Sequence, residues 1–117
     1  MVNYQERLDR TFAALVDPTR RAILARLERE DGASISELAE PFPIRLPAVM
    51  KHLDVLADAG LVTRTKSGRT VTVRLRAQPM REAMDWLRRY ERFWSTGLDR
   101  LTAYAEKKEA ETRRKGK

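Results

Sequence analysis

The sequence predicts a mainly α-helical domain carrying one small β-hairpin. Two observations predict it. Apolar residues recur at helical spacing in four stretches before residue 60 and in one long stretch after residue 79. Between them, residues 61–76 alternate apolar and polar around Ser67-Gly68-Arg69, the pattern of a hairpin. The chain has 117 residues, enough for one domain and hardly two. A chain of that size buries roughly two thirds of its unfolded surface, so its core is real but small.

The first helix is expected over about Tyr4 to Val16, with Leu8, Phe12 and Leu15 on one stripe. Asp17-Pro18 ends it and starts the next, aspartate as N-cap and proline at the first helical position. The second helix runs to about Glu30 on Ile23, Leu24 and Leu27, and Asp31-Gly32 stops it. A short third helix follows, capped either by Ser36 alone or by Ser34 with Glu37 in a capping box. Pro41-Phe42-Pro43 ends it, because proline bars continuation.

The fourth helix covers about Leu46 to Ala59, with Leu46, Val49, Leu53 and Leu56 as its expected buried stripe and Gly60 as its stop. Strands are expected at Leu61 to Lys66 and Thr70 to Arg76, joined by the three-residue loop Ser67-Gly68-Arg69. Pro79 opens the last helix, whose Met80, Met84, Leu87, Tyr90, Trp94, Leu98, Leu101 and Ala105 hold a 3–4 spacing. Over residues 80–107 that makes one helix of about 42 Å at 1.5 Å per residue. Residues 1–107 are thus read as the domain and 108–117 as a basic polar tail, expected to be disordered. Two short helices joined by a proline turn, then a basic hairpin, describe a winged helix-turn-helix.

Composition narrows the chemistry. Cysteine is absent and histidine occurs once, which removes disulfides, thiolate metal sites and cysteine nucleophiles. No phosphate loop or serine elbow is present, so no enzyme, cofactor or metal site is expected. The longest clean apolar run, Phe12 to Val16, is far short of the ~20 residues of a spanning helix. No leader of signal type opens the chain, and the expected compartment is the cytoplasm.

The charge points to a polyanionic partner, with 24 Lys plus Arg against 17 Asp plus Glu, a net charge of +7. It is unevenly spread. Residues 1–44 hold 6 basic and 8 acidic side chains, residues 45–76 hold 7 and 2, and residues 80–117 hold 11 and 7. The middle block coincides with the fourth helix and the hairpin, so double-stranded DNA is the expected partner.

On a wheel of 100° per residue, Lys51 lies nearly opposite the buried stripe, flanked by Pro47 and Ala48, and His52 falls at the edge. Arg45 and Leu46 stand at the end that enters the major groove in this motif, and neither is a good N-cap. Arg45 suits a guanine edge, Ala48 a thymine methyl, and Lys51 and His52 phosphates. The hairpin offers Arg64, Lys66 and Arg69 to the backbone or minor groove. Basic side chains on a wing also serve to discourage edge-to-edge pairing.

The last helix carries more aromatic surface than a domain of this size can hide. Leu87, Tyr90, Phe93, Trp94, Leu98 and Leu101, with Leu8 and Phe12 of the first helix, are read as a dimer surface. An apolar effector at the same seam is the competing use. Two other functions fit the composition: a nucleic-acid binder without sequence preference, and a helical protein-interaction module.

Four segments in this order and spacing resemble the ArsR-type family of bacterial transcriptional repressors: residues 15–21 (Leu-Val-Asp-Pro-Thr-Arg-Arg), 36–39 (Ser-Glu-Leu-Ala), 46–53 (Leu-Pro-Ala-Val-Met-Lys-His-Leu) and 59–62 (Ala-Gly-Leu-Val). The resemblance covers about residues 8–105. It implies a homodimer built on the first and last helices, which binds operator DNA and represses transcription until a signal releases it. The family's metal sensors carry a Cys-x-Cys-type pair where this chain has Ser34-Ile35-Ser36, or Asp and His sets on the last helix, which here has no histidine. The chain resembles the metal-free branch. Family members commonly have serine where it has Arg45 and Met50, so their sequence preference is not carried over.

Overall fold

A computed structural model describes residues 2–115, without the side chains of Thr96, Leu98, Arg114 and Lys115. The chain divides into two units, Met1–Ala83 and Met84–Lys117.

In the first unit, α1 (Tyr4–Leu15) starts at Asn3, whose side chain accepts the Glu6 N–H. α2 (Pro18–Arg29) starts at Asp17, which accepts the Arg20 N–H, with Pro18 in the first turn as expected. α3 (Ile35–Ala39) uses the Ser34–Glu37 capping box, deciding between the two caps the sequence left open. α4 (Leu46–Asp58) follows the proline turn.

The hairpin strands are β2 (Val62–Ser67) and β3 (Thr70–Leu75). Ser67 pairs with Thr70, so the loop is the two residues Gly68-Arg69 rather than three. A strand outside the sequence reading, β1 (Ala33–Ser34), pairs antiparallel with β3, Ala33 opposite Val73 and Ser34 opposite Thr72. The sheet order is β1-β3-β2. Two residues are too few to show an alternation, so β1 leaves no periodic signal. Its trace is Gly32, at φ +93, where an added Cβ would stand 3.0 Å from Thr72 Cγ2. Only glycine admits both that backbone angle and that approach.

The core of this unit joins all these elements. Ile23, Leu24 and Leu27 of α2, Leu38 of α3, Val49, Leu53 and Leu56 of α4 and Val73 of β3 are buried together. Leu46 departs from the expected stripe. It is 52% exposed, because the first turn of α4 projects past the packed layer. α4 closes with a Schellman motif: Leu61 N–H donates to Leu56 O at 2.9 Å and Gly60 N–H to Ala57 O at 2.9 Å. Gly60 supplies the positive φ of +74 that this turn demands. Only Gly60 and Leu61 separate the end-cap of α4 from β2.

α5 (Gln78–Leu87) begins in the first unit, where Pro79 and Ala83 are buried and Glu82 pairs with Arg7 of α1 at 3.1 Å. The second unit holds the rest of α5, a 3-10 turn at Arg88–Tyr90, and the 25-residue helix α6 (Glu91–Lys115). The single long helix expected from the sequence is therefore interrupted. One turn of 3-10 structure preserves the 3–4 spacing, so Leu87, Tyr90 and Trp94 carry no sign of it. α6 also runs to Lys115, past the residue 107 at which the apolar pattern ends. Its last turns carry an Arg113–Glu109 pair and a Thr112 hydroxyl bond to Lys108 O. No described helix is long and apolar enough to cross a membrane.

Candidate nucleic-acid interface

The proline turn sets the start of α4. Arg45 occupies the N-cap with extended backbone (φ −73, ψ 153) and makes no side-chain cap bond. Its carbonyl accepts the N–H groups of Ala48 and Val49. A serine or aspartate there would turn its side chain back onto the helix. Arginine does not, and its guanidinium has no hydrogen-bond partner among the described residues. Arg45, Leu46, Pro47 and Lys51 are exposed, and Ala48 is half-buried beside them. Val49, Leu53 and Leu56 hold the opposite face in the core. The expected DNA-facing residues of α4 thus share one exposed side, His52 excepted.

The wing presents Lys66 and Arg69, both exposed. Among the described residues, Arg45, Lys51, Lys66 and Arg69 have no carboxylate within ion-pair distance. Arg64 differs. Its Nη1 lies 2.6 Å from Asp54 Oδ1 of α4, so its charge is offset and it braces the wing against the helix. Asp54, one of two acids in the basic middle block, was the available signal for that brace.

His52 is held from within. Its Nδ1 faces Arg20 Nη1 at 3.2 Å, and Asp17 Oδ2 lies 3.7 Å away. Arg20 also donates through Nε to Ala14 O at 2.8 Å and through Nη2 to Ala13 O at 3.1 Å. The N–H of Arg20 holds the Asp17 carboxyl below the usual carboxylate range, and the nearby His52 and Arg20 side chains act in the same direction. From the sequence, Asp17 reads as an N-cap, and Arg20 enters only within the 15–21 segment of the family resemblance. No spacing rule links either to His52, 32 residues beyond Arg20.

Of the residues expected to dimerise, Leu8 is buried within its own chain and Phe12 is half-buried. In the second unit Leu87 is half-buried, while Tyr90, Phe93 (61% exposed), Trp94 (51%) and Leu101 (65%) stand out to solvent. Tyr104 joins them at 61%. The Leu98 side chain lies outside the described residues. A hollow of about 280 Å³ in the first unit is lined by the apolar Leu15, Leu24, Ala25, Leu75 and Met80 together with Arg21 and Glu28.

A helix-turn-helix domain family matches residues 15–65, the span from the end of α1 into β2. The HTH-type transcriptional regulator Rv2034 of Mycobacterium tuberculosis is 38% identical over 98 residues, 84% of this chain and 85% of that protein. The transcriptional repressor SdpR of Bacillus subtilis is 29% identical over 80 residues, 68% of this chain and 88% of that protein. The crystal structure of an ArsR family transcriptional regulator, RHA00566, superposes with a TM-score of 0.73 at 42% identity, over 81% of this chain and 97% of that one. With α4 entered through a proline turn, a basic wing and these relatives, the chain belongs to the ArsR family of winged helix-turn-helix transcriptional regulators, DNA-binding proteins rather than enzymes.

Proposed function

We propose that the chain is a homodimeric repressor that reads a palindromic operator with α4 in the major groove and the wing on the adjoining backbone. The observation that carries this is the set of four cations, Arg45, Lys51, Lys66 and Arg69, on the exposed side of α4 and on the wing, none with an ion pair among the described residues. Unpaired cations neutralise phosphates without first breaking an internal bond. Arg45, at the leading end of α4, is the residue for a guanine edge. The exposed stripe Tyr90, Phe93, Trp94 and Leu101 supports the dimer, since aromatic surface of that kind is enriched in interfaces. A two-fold dimer matches a two-fold site. The absence of cysteine and the intramolecular engagement of the single histidine argue against metal sensing of the Cys or His type. An apolar effector has the 280 Å³ hollow as its candidate seat.

Fluorescence anisotropy against DNA from upstream of the gene, with a shuffled duplex as control, tests this reading. A preference of roughly 10³ or more is expected. Equal, salt-sensitive binding to both duplexes would leave a nonspecific nucleic-acid binder. No binding by a folded dimer would leave a protein-interaction module.

A further inference from the structure

We infer that Arg20 is a positioning residue for DNA binding: it fixes the imidazole of His52 in one tautomer and so sets which donor the edge of α4 offers to a phosphate. The inference rests on the DNA-binding reading above and adds to it a residue that need not touch DNA.

The argument starts from what each group can do. A guanidinium only donates. His52 Nδ1, 3.2 Å from Arg20 Nη1, must therefore present a lone pair. A neutral imidazole carries one N–H, so the proton resides on Nε2. Arg20 is itself immobilised, since its Nε and Nη2 donate to Ala14 O and Ala13 O at the end of α1. Asp17 accepts the Arg20 backbone N–H at 3.0 Å and sits 3.7 Å from His52 Nδ1, beyond hydrogen-bond distance. The ring edge facing inward is thus filled, and Nε2–H is the donor left over. Three elements meet in this bond: the end of α1, the first turn of α2, and α4. His52 adjoins Lys51 of the DNA-facing side and is half-buried, so its ring can rest on the protein and still reach a phosphate.

His52 is the only histidine in the chain, so its imidazole nitrogens give one unambiguous pair of nitrogen-15 signals. At a pH where the ring is neutral, the wild-type protein should show a nearly pure Nε2–H tautomer. Arg20→Lys, and separately Arg20→Gln, should relax it toward the mixture of a free imidazole. Against operator DNA, Arg20→Lys should weaken binding about tenfold. In Arg20→Gln, which removes the charge, the slope of affinity against salt should stay at the wild-type value: a lost cation–phosphate contact would lower it by about one, whereas a neutral His52 donor releases no counterion. In a His52→Ala background, Arg20→Lys should cause no further loss of affinity.

A mixed tautomer in the wild type, a salt slope reduced by about one in Arg20→Gln, or an undiminished Arg20→Lys effect in the His52→Ala background would each overturn the inference while leaving the repressor reading intact. A wild-type protein without preference for the operator would overturn that reading, and the positioning role with it. Circular dichroism of each variant separates these effects from unfolding.

Discussion

Arg20, Arg21 and Arg26 of α2 and the cations at α4 and the wing carry the same charge and lead opposite lives. Arg20 donates to two carbonyls and an imidazole. Arg21 closes the end of α1 through Leu15 O at 2.7 Å and Val16 O at 2.8 Å. Arg26 pairs with Glu30 and Glu37. Each is engaged by the fold. Arg45, Lys51, Lys66 and Arg69 have no such partner among the described residues. The difference teaches that a basic residue is available to an outside partner only where the fold has not already engaged it. Charge density alone does not show this. Both sets are counted in the same +7.

The largest effect should come from removing the unpaired set. Replacing Arg45, Lys51, Lys66 and Arg69 together by alanine should cut DNA affinity by roughly 10³ or more at low salt and lower the salt slope by up to about four. Anisotropy titrations at several salt concentrations check it, and the melting temperature should barely move. The converse variant, Arg21→Ala, breaks two bonds to the end of α1. Thermal unfolding should show a loss of about 1–2 kcal/mol, with the salt slope unchanged. A large drop in slope there would erase the distinction between the two sets.

Asp54→Asn sharpens the comparison by moving a residue from one set to the other. It frees Arg64 for DNA. Exposed pairs of this kind contribute about 0.2–1 kcal/mol, so stability should change little and affinity should rise a few-fold. The smallest effect is on acid stability. Asp17 is held low by the Arg20 N–H, and Glu37 by the Ser34 hydroxyl and N–H. Both carboxyls bind protons more weakly folded than unfolded. Their contribution is therefore complete above the unfolded value near 4 and fades as the pH falls through the folded one. Denaturant midpoints of Asp17→Asn/Glu37→Gln should fall less than those of wild type between about pH 5 and 2.

The helix starts were legible because proline and cap residues act within three positions of themselves. Asp17-Pro18 and the box at Ser34 are of that kind, and so is the bare N-cap at Arg45. The hairpin was legible from Val71, Val73 and Leu75, and its loop length was not, because Ser67 belongs to a ladder only once its partner is placed. β1 and the 3-10 turn left no period to read. In the candidate site, exposure on the α4 wheel was legible for Pro47 and Lys51. Leu46 was assigned to the core since a wheel has no ends, whereas a helix does. The engagement of Arg64 and His52 depended on Asp54 and Arg20, each brought near only by the fold.

The closing turn of α4 has a mechanical consequence. Gly60 and Leu61 are all the chain between that turn and β2, Leu61 is fully buried, and its carbonyl accepts the Arg76 N–H at 2.8 Å. The Arg64–Asp54 brace adds a second strut. Helix and wing therefore form a caliper with a locked joint. On DNA, a caliper of fixed span is satisfied only where groove and backbone recur at one pitch. Overwinding or unwinding the duplex shifts that recurrence without altering a base. On the proposed DNA-binding reading, the torsional state of the template is an input to occupancy alongside any dissolved signal, and supercoiled and relaxed operator DNA should bind with different affinity.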